Sequence, residues 1–214
     1  MKPYYEHEGI TIYHGDCRDI LPTLKSVDLV LTDPPYGLDY ASNHGASWQG
    51  TKILGDLDTT LRDSVLAFLS DVPAYVFGTW KTPQPRGVRQ ILIWDKGPAS
   101  GMGNLKFPWK NSFEEIYVLG DGFCGSRDEA VLMGHTQVSW ESKGRCHPNQ
   151  KPLSLIRYLL SKHTAQTILD PFMGSGTTLR AAKDLGRKAI GIEIEERYCE
   201  IAAKRLQQEV LFSG

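Results

Sequence analysis

The chain has 214 residues, of which 41% are hydrophobic and 10% aromatic, which is enough for one ordinary domain with a single core. Its 24 basic and 25 acidic residues nearly cancel, so the chain as a whole is not a basic nucleic-acid-binding protein and would need a local patch for such a partner. Residues 1–7 contain no apolar signal segment, and no stretch approaches the ~20 apolar residues of a membrane span. We therefore expect a soluble, cytoplasmic protein.

The four cysteines, at positions 17, 124, 146 and 199, form no C-x-x-C pair. Cys124 and Cys146 could be combined with His135 and His147 as a zinc site, but their spacing matches no standard zinc pattern. We therefore predict free thiols and no metal site.

Two predicted strands near the start of the chain each end at an acid. The run Ile10–Tyr13 leads into Gly15-Asp16-Cys17, and the apolar run Val27–Thr32 ends at Asp33-Pro34-Pro35-Tyr36. The two prolines must stop the second strand, which frees backbone carbonyls of the turn to face a ligand. An acid, a proline carbonyl and an aromatic ring at a strand end suit the amino group of a planar base. A turn with a helix-capping Asp explains the tetrapeptide alone equally well.

The middle of the chain predicts a loop, a helix and three strands. Residues 37–54 are rich in Gly, Ser and Asn without a period, which is typical of a long mobile loop such as a lid. Asp58 is a candidate N-cap for a helix over residues 59–69, and residues 19–24 suggest one or two helical turns. Strands are predicted at residues 74–77, 90–95 and 113–119.

Residues 80–111 form a local basic patch. Six basic side chains stand there against the single acid Asp95: Lys81, Arg86, Arg89, Lys96, Lys106 and Lys110. Four aromatic residues are interleaved with them: Trp80, Trp94, Phe107 and Trp109. This composition suits a phosphate backbone and unstacked bases, although a solvated face with a few core aromatics explains it almost as well.

Residues 120–146 are polar, contain several glycines and show no period, so we interpret them as a small insertion that projects from the sheet. Its basic side chains are candidates for contacts to nucleic acid: Arg127, His135, Lys143 and Arg145.

The C-terminal part predicts a helix over residues 152–160, a buried strand over 165–169, a glycine turn, a helix over 177–185 and a strand over 188–192. The turn Asp170-Pro171-Phe172-Met173-Gly174-Ser175-Gly176-Thr177-Thr178 lacks the Lys of a Walker loop, but its glycines and the helix N-terminus suit close approach of a ligand. The second strand ends at Glu193, as in folds that hold ribose hydroxyls with an acid. The alternative role for Glu193 is a charge ahead of a helix over residues 197–206.

Together these motifs resemble those of the amino-directed DNA methyltransferases that use S-adenosylmethionine, in the permuted group whose catalytic motif precedes the cofactor motif. The matching segments, in chain order, are Gly15-Asp16-Cys17, the catalytic tetrapeptide Asp33–Tyr36, His147-Pro148-Asn149-Gln150-Lys151-Pro152, and the cofactor loop Asp170–Thr177. Enzymes that act on ribosomal RNA or on protein glutamine have a similar catalytic turn but place the cofactor loop first.

The resemblance implies an α/β fold, namely a doubly wound, mainly parallel, seven-stranded Rossmann-like methyltransferase sheet with a circularly permuted motif order. Helices would cover both faces, and one antiparallel strand would lie near an edge. Residues 1–214 would form a single catalytic domain, with a small target-recognition insertion at about 120–146. The strand ending at Asp16 would lie beside the one ending at Glu193, and the catalytic and cofactor strands would be neighbours.

The resemblance also implies site residues. The catalytic residues would be Asp33, Pro34, Pro35 and Tyr36. The residues that bind S-adenosylmethionine would be Asp16, Cys17, Asp33, Lys151, Asp170, Phe172, Gly174, Ser175, Gly176, Thr177, Thr178 and Glu193. With the basic residues noted above, the predicted DNA contacts are Lys81, Arg86, Lys106, Lys110, Arg127, His135, Lys143 and Arg145.

The implied activity is direct methyl transfer to N6 of a flipped-out adenine in DNA. Cytosine-N4 is the alternative target, and Asp33 favours adenine because Ser often stands first in the permuted group when cytosine is the target. A catalytically silent DNA-binding homologue is an alternative of another class, but such partners usually lose the acid or the proline pair, and both are present here. We further expect a prokaryotic or phage-encoded restriction-modification enzyme, a short recognition site and a possible homodimer.

Overall fold

A computed structural model describes residues 2–38, 55–97, 105–135 and 150–207. Its strands are β1 (Tyr5–His7), β2 (Ile10–His14), β3 (Leu29–Thr32), β4 (Ala74–Gly78), β5 (Val88–Asp95), β6 (Phe113–Leu119), β7 (Val131–Leu132), β8 (Thr167–Asp170) and β9 (Lys188–Glu193). Its α-helices are α1 (Cys17–Ile20), α2 (Thr60–Phe68), α3 (Leu153–Ser161), α4 (Thr177–Asp184) and α5 (Glu196–Gln207), and a 3₁₀ turn covers Leu21–Thr23. The predicted elements within these ranges are present, with ends that differ by at most two residues.

The nine strands of the described ranges form one sheet in the order β1-β2-β9-β8-β3-β4-β6-β5-β7. The five strands from β2 to β4 run parallel to one another, whereas β6 is antiparallel to both of its neighbours, β4 and β5. The seven strands from β2 to β5 therefore match the predicted methyltransferase sheet with one antiparallel strand. The structure adds a short strand at each edge, since β1 pairs with β2 and β7 pairs with β5.

Two apolar layers cover the two faces of this sheet. Residues alternate between the layers along β3: Leu29 and Leu31 pack with the layer that contains α3, α4 and α5, and Val30 packs with the layer that contains α1 and α2. All four residues of β3 are buried, as expected for a largely apolar strand covered on both faces. The sheet is doubly wound, as predicted.

The predicted neighbours of the catalytic and cofactor strands are confirmed. Leu29 and Val30 of β3 pair with Ile168 and Leu169 of β8, and the carboxylate of Asp28 accepts hydrogen bonds from the backbone N–H groups of residues 166 and 167 at 3.0 and 2.8 Å. On the other side, His14 at the end of β2 pairs with Glu193 at the end of β9. The carboxyl ends of all four strands therefore meet at one edge.

The first part of the predicted insertion packs on the sheet, which differs from the projecting segment expected from its composition. Phe123 forms a β-bridge with His163 and lies 4.9 Å from the ring of Tyr75, and residues 131–132 form β7. Lys162, at the end of α3, pairs with Asp128 at 2.5 Å. The apolar Phe123 anchors the segment, a tertiary contact that a period search does not detect. Residues 136–146 lie outside the described residues, as do residues 39–54 of the predicted loop.

Among the helices of the described residues, none combines the length and the apolar character that a membrane span requires.

Candidate functional site

The turn Asp33-Pro34-Pro35-Tyr36 follows β3 at the carboxyl edge of the sheet. The helix after β8, α4, covers one face of the sheet, and the helix after β3, α2, covers the other. Neighbouring parallel strands whose following helices diverge in this way leave a crevice, which is where open α/β sheets bind ligands. The two prolines therefore end β3 at the mouth of this crevice, which we call the cleft.

The backbone behind the turn is fixed by two acids. Gly37 donates its N–H to Oδ1 of the buried Asp56 at 2.7 Å. Its φ is +76°, and a Cβ at this position would lie 2.6 Å from the carbonyl carbon of Asp58. Asp58 lies one residue before Thr59, the observed N-cap of α2, and its Oδ1 accepts the N–H of Thr60 at 2.8 Å, so the cap predicted at Asp58 is displaced by one residue. Only glycine fits directly after Tyr36, and the turn is held to the start of α2.

Five side chains around the turn form one hydrogen-bonded network. Lys151 Nζ lies 2.7 Å from Oδ2 of Asp33 and 3.0 Å from Oε2 of Glu114, and it donates to the hydroxyl of Tyr36 at 3.3 Å. The Tyr36 hydroxyl in turn donates to Oδ1 of Asp33 at 2.8 Å. Lys96 Nζ lies 3.1 Å from Oε1 of Glu114. Two carboxylates thus face two ammonium groups, and the network is electrically balanced.

Burial and neighbouring charges set the protonation of this network. Burial raises the pKa of the Asp33 carboxyl, an effect that Lys151 opposes and Glu114 reinforces. Burial also acts on Glu114, but the ammonium groups of Lys151 and Lys96 outweigh it and hold the pKa of Glu114 below its usual value. Burial alone would lower the pKa of Lys151, yet the two carboxylates raise it above its ordinary range. Lys151 and Glu114 are therefore charged, and Asp33 is the easier of the two acids to protonate.

A cavity of about 480 Å³ extends from this network along the carboxyl ends of β3, β8, β9 and β2. Its walls include most of the residues that the sequence assigned to a cofactor: Asp16, Cys17, Asp33, Lys151, Asp170, Phe172, Gly174, Ser175, Thr177, Thr178 and Glu193. The volume is that of a small-molecule site. The structure therefore brings the predicted catalytic turn and all the predicted cofactor residues except Gly176 into one cleft.

Glu193 closes the far side of the cleft. Its two carboxylate oxygens accept the backbone N–H groups of Gly174 at 3.0 Å and of Glu195 at 2.8 Å. Burial raises its pKa, and these N–H groups oppose the effect. Each carboxylate oxygen has a second lone pair, so Glu193 can fix the glycine loop and still accept hydroxyl groups of a ligand.

Two residues of the loop Asp170–Thr178 contact helix α5. Gly176, at φ +76°, would place a Cβ 2.8 Å from Cβ of Ala202 in α5, whereas a Cβ on Gly174 would meet nothing within 4 Å. The buried Ser175 accepts hydrogen bonds from Arg205 Nη1 through its carbonyl at 2.6 Å and its hydroxyl at 3.1 Å. Gly174 therefore faces open space, Ser175 both lines the cleft and contacts α5, and Gly176 packs against α5; the predicted ligand contacts of these residues remain predictions.

Asp170 joins the two halves of the site. It is buried, and its Oδ1 accepts the hydroxyl of Thr32 at 2.7 Å and the N–H of Phe172 at 3.2 Å. Burial raises the pKa of Asp170 to about 7, against the hydrogen bonds from Thr178 and Thr32. These hydrogen bonds link β3, which precedes the turn Asp33–Tyr36, to the start of the loop after β8.

Asp16 and Cys17 contribute mainly to structure. The Asp16 carboxylate caps α1 by accepting the N–H of Arg18 at 2.9 Å and is also paired with the Arg18 guanidinium. The Cys17 side chain is buried in the core layer, where burial raises its pKa to about 11. Both residues also line the cleft, so their predicted contact with a cofactor remains a prediction.

The predicted DNA residues lie at several places. Four are exposed, and the first of them lines the cleft: Lys81, Arg86, Lys106 and Lys110. They are accompanied by aromatic rings that are 60%, 66% and 82% exposed, those of Trp80, Phe107 and Trp109. An exposed surface of this kind was predicted from the patch, whereas Trp94 is buried in the core and Lys96 belongs to the internal network.

The predicted DNA-contacting residues of the insertion at 120–146 lie in different environments. Arg127 is exposed, but His135 is half-buried, with its ring 5.3 Å from that of Tyr158 and its carbonyl accepting the indole N–H of Trp94 at 2.9 Å. His135 therefore contacts the body of the fold, and its predicted contact to DNA remains a prediction. Lys143 and Arg145 lie outside the described residues. Within those residues, no group of three or more His, Cys, Asp or Glu side chains is placed to hold a metal ion.

Sequence reasoning missed Glu114 and the internal role of Lys96. Glu114 is the second residue of the antiparallel strand β6, whose start pairs with the ends of β4 and β5. The start of an antiparallel strand lies at the same edge as the carboxyl ends of its parallel neighbours. Two adjacent acids at the head of an otherwise apolar strand, Glu114-Glu115, were the signal that could have identified it.

Comparison with known proteins gives three kinds of match. A family model described as DNA methylase, N6_N4_Mtase, matches residues 126–204. Type II methyltransferase M2.LlaDCHI of Lactococcus lactis subsp. cremoris is 29% identical over 252 aligned positions, which cover 97% of this chain and 93% of the relative.

Two solved structures resemble the whole chain. The crystal structure of an M1.HpyAVI–SAM complex is 26% identical with a TM-score of 0.64 and covers 92% of this chain and 100% of that one. PvuII DNA methyltransferase, described as cytosine-N4-specific, is 16% identical with a TM-score of 0.70, covering 99% and 91%. At that identity the second match shows similarity of fold alone.

Proposed function

We propose that this chain is an N6-adenine or N4-cytosine DNA methyltransferase, like the proteins it resembles, and that it transfers the methyl group of S-adenosylmethionine to N6 of adenine in DNA. The single observation that carries the proposal is the position of the Asp33 carboxylate. It faces the same cleft as the glycine loop after β8, next to Pro34 and Tyr36. A target amine held at Asp33 would thus lie beside the cofactor site.

The described residues fit S-adenosylmethionine. The cavity of about 480 Å³ has the size of a small-molecule site, and Gly174 leaves open space where a side chain would stand. Glu193 supplies lone pairs for ribose hydroxyls, and the N-terminus of α4 begins at Thr177 beside the same cavity. When bound, S-adenosylmethionine supplies an electrophilic methyl group on a sulfonium.

The turn Asp33–Tyr36 can activate a weakly nucleophilic amine. The exocyclic amine of adenine is unreactive because its lone pair is delocalised into the ring. We propose that Asp33 and the Pro34 carbonyl accept the two N–H bonds of this amine, which favours tetrahedral nitrogen and localises the lone pair for direct attack. Asp33 then accepts the proton that the methylated nitrogen releases. No covalent link to the protein is needed.

The depth of the turn requires that the base leave the duplex. Pro34 is buried, and the Asp33 side chain is only 28% exposed at the bottom of the cleft. A base stacked in a duplex cannot reach such a carboxylate, so the target must be flipped out, and the half-buried ring of Tyr36 offers it a stacking face. The hydroxyl bond of Tyr36 to Asp33 fixes the ring beside the acid.

The exposed basic and aromatic surface supports DNA as the partner. Lys81 lines the mouth of the cleft, and Lys106 and Lys110 flank the exposed rings of Phe107 and Trp109. Lysines position the phosphate backbone, and aromatic rings stack on unpaired bases. We propose in addition a homodimer, because pairing would let a small chain hold more duplex than its own recognition segment spans.

One experiment tests activity, base and atom together. Unmethylated DNA is incubated with isotope-labelled S-adenosylmethionine and the protein, digested to nucleosides and analysed by mass spectrometry, with Asp33→Ala as the control. We expect labelled N6-methyladenine. Labelled N4-methylcytosine would replace adenine by cytosine as the target. No labelled nucleoside from a folded, cofactor-binding protein would refute the proposed activity and favour a silent DNA-binding homologue.

A further inference from the structure

Every N–H of the Lys151 ammonium group is already engaged. An ammonium has three donors, and Lys151 directs them at Asp33, Glu114 and the Tyr36 hydroxyl at 2.7, 3.0 and 3.3 Å. The side chain is 8% exposed, and its Nζ lies 4.9 Å from the centre of the Phe77 ring. A lysine so placed has no donor left for a cofactor, and its position is set by the catalytic turn.

We propose that Lys151 is a positioning residue for methyl transfer and not a cofactor ligand, and that Glu114, itself held by Lys96, fixes its ammonium group against Asp33. This inference rests on the proposed function, because it assigns Asp33 the role of amine acceptor. It adds two positioning residues, Glu114 and Lys96, that belong to none of the four sequence motifs.

The geometry explains how the arrangement orients Asp33. One carboxylate oxygen accepts from Lys151 and the other from the Tyr36 hydroxyl, and these two donors are themselves hydrogen-bonded to each other. The closed ring leaves the carboxylate little freedom to rotate. Each oxygen keeps one further lone pair, and these remain available to the target amine.

The same arrangement controls the charge of Asp33. The titratable groups that face it are Lys151 from the segment before α3, Glu114 from β6, Tyr36 from its own turn and Asp170 from β8, and Lys96 acts on it through Glu114. Asp33 must be ionised to accept a hydrogen bond from an amine and later its proton. Lys151 favours the ionised form, and Glu114 opposes it. Loss of the Lys151 charge should therefore raise the titration midpoint of Asp33, and loss of the Glu114 charge should lower it. Loss of packing alone would not produce shifts of opposite sign.

The test follows the Asp33 carboxyl by carbon-13 NMR in the full chain without cofactor, with the resonance assigned by its loss in Asp33→Asn. In Lys151→Met the titration midpoint should rise by about 1–3 pH units, because an opposite charge at this distance is lost. In Glu114→Gln it should fall. Lys204→Met is the matched control, since Lys204 pairs with Glu200 at 2.6 Å on the exposed side of α5 and should leave the midpoint unchanged.

Kinetics and calorimetry complete the test. Lys151→Met should keep the affinity for S-adenosylmethionine within about threefold and lower kcat at least tenfold at neutral pH, with partial recovery at higher pH. Lys151→Arg should retain more activity than Lys151→Met.

An unchanged Asp33 midpoint in Lys151→Met, or shifts of the same sign in Lys151→Met and Glu114→Gln, would overturn the proposal. So would a tenfold loss of cofactor affinity. If the wild-type protein methylates no DNA, the proposed function fails, yet the titration still decides the role of Lys151. Glu114→Gln keeps the test valid should Lys151→Met unfold.

Discussion

Removal of the Glu193 carboxylate should weaken cofactor binding without abolishing the fold. In the proposed site Glu193 accepts ribose hydroxyls, and a hydrogen bond to a charged group contributes about 1.5–3 kcal/mol. At 1.4 kcal/mol per factor of ten, Glu193→Ala should raise the Kd for S-adenosylmethionine by about 10- to 150-fold. We expect an increase in Kd towards the upper end of this range, because the same carboxylate also accepts the N–H groups of Gly174 and Glu195. Glu193→Gln keeps one acceptor oxygen and should lose less.

Isothermal titration calorimetry measures this difference directly. Glu200→Gln is a suitable control, because Glu200 lies on α5 and pairs with the exposed Lys204 away from the cleft. Glu193→Ala should also lose turnover at low cofactor concentration and recover much of it at saturation. A Kd within twofold of the wild-type value would show that Glu193 only caps the loop and that the ribose assignment is wrong.

Three further outcomes follow from the site and its surface. Asp33→Ala should abolish methylation while calorimetry shows nearly unchanged cofactor affinity, and a variant that keeps most of its rate would refute the mechanism. Binding of DNA should fall with salt as if ~3–5 counterions were released per protomer, and Lys106→Glu with Lys110→Glu should weaken binding to all sequences alike and flatten this slope in filter binding. Burial raises the pKa of Asp170 to about 7 from about 3.9 in an unfolded chain, so folding stability falls as pH rises through this window. The free energy of unfolding of Asp170→Asn, measured with denaturant between pH 4 and 8, should decrease less with rising pH than that of the wild-type protein.

The features that could be predicted from the sequence are those that local chemistry decides. Proline pairs end a strand wherever it lies, so the position of Asp33 at the sheet edge followed from residues 27–36 alone. The hydrogen bond from the N–H of Thr60 to Asp58 at the start of α2 likewise depends only on neighbouring residues. The pairing of β2 with β9 and of β3 with β8 depended on the motif order together with the switch-point rule.

The features that were missed depend on contacts between distant segments. Glu114 and Lys151 are 37 positions apart, and only the sheet order β3-β4-β6 brings them to one place. Gly176 looked like a ligand glycine because its motif is a cofactor loop, whereas its missing side chain accommodates Ala202. The motif correctly located the cleft, but which glycine faces it depends on the packing of α5.

The topology also explains why the order of the motifs in the chain is free to vary. The catalytic and cofactor segments meet through two strand contacts, β3 with β8 and β2 with β9, and neither contact is made by the chain that connects the segments. In the sheet the first long strand, β2, and the last, β9, are adjacent, with Gly15 donating its N–H to the carbonyl of Glu193 at 2.9 Å. Because the two acids at these strand ends face one cleft, a different cut in the chain would leave the site intact. The proposed chemistry therefore depends on the sheet edge where these strands end and not on the order of the segments in the chain.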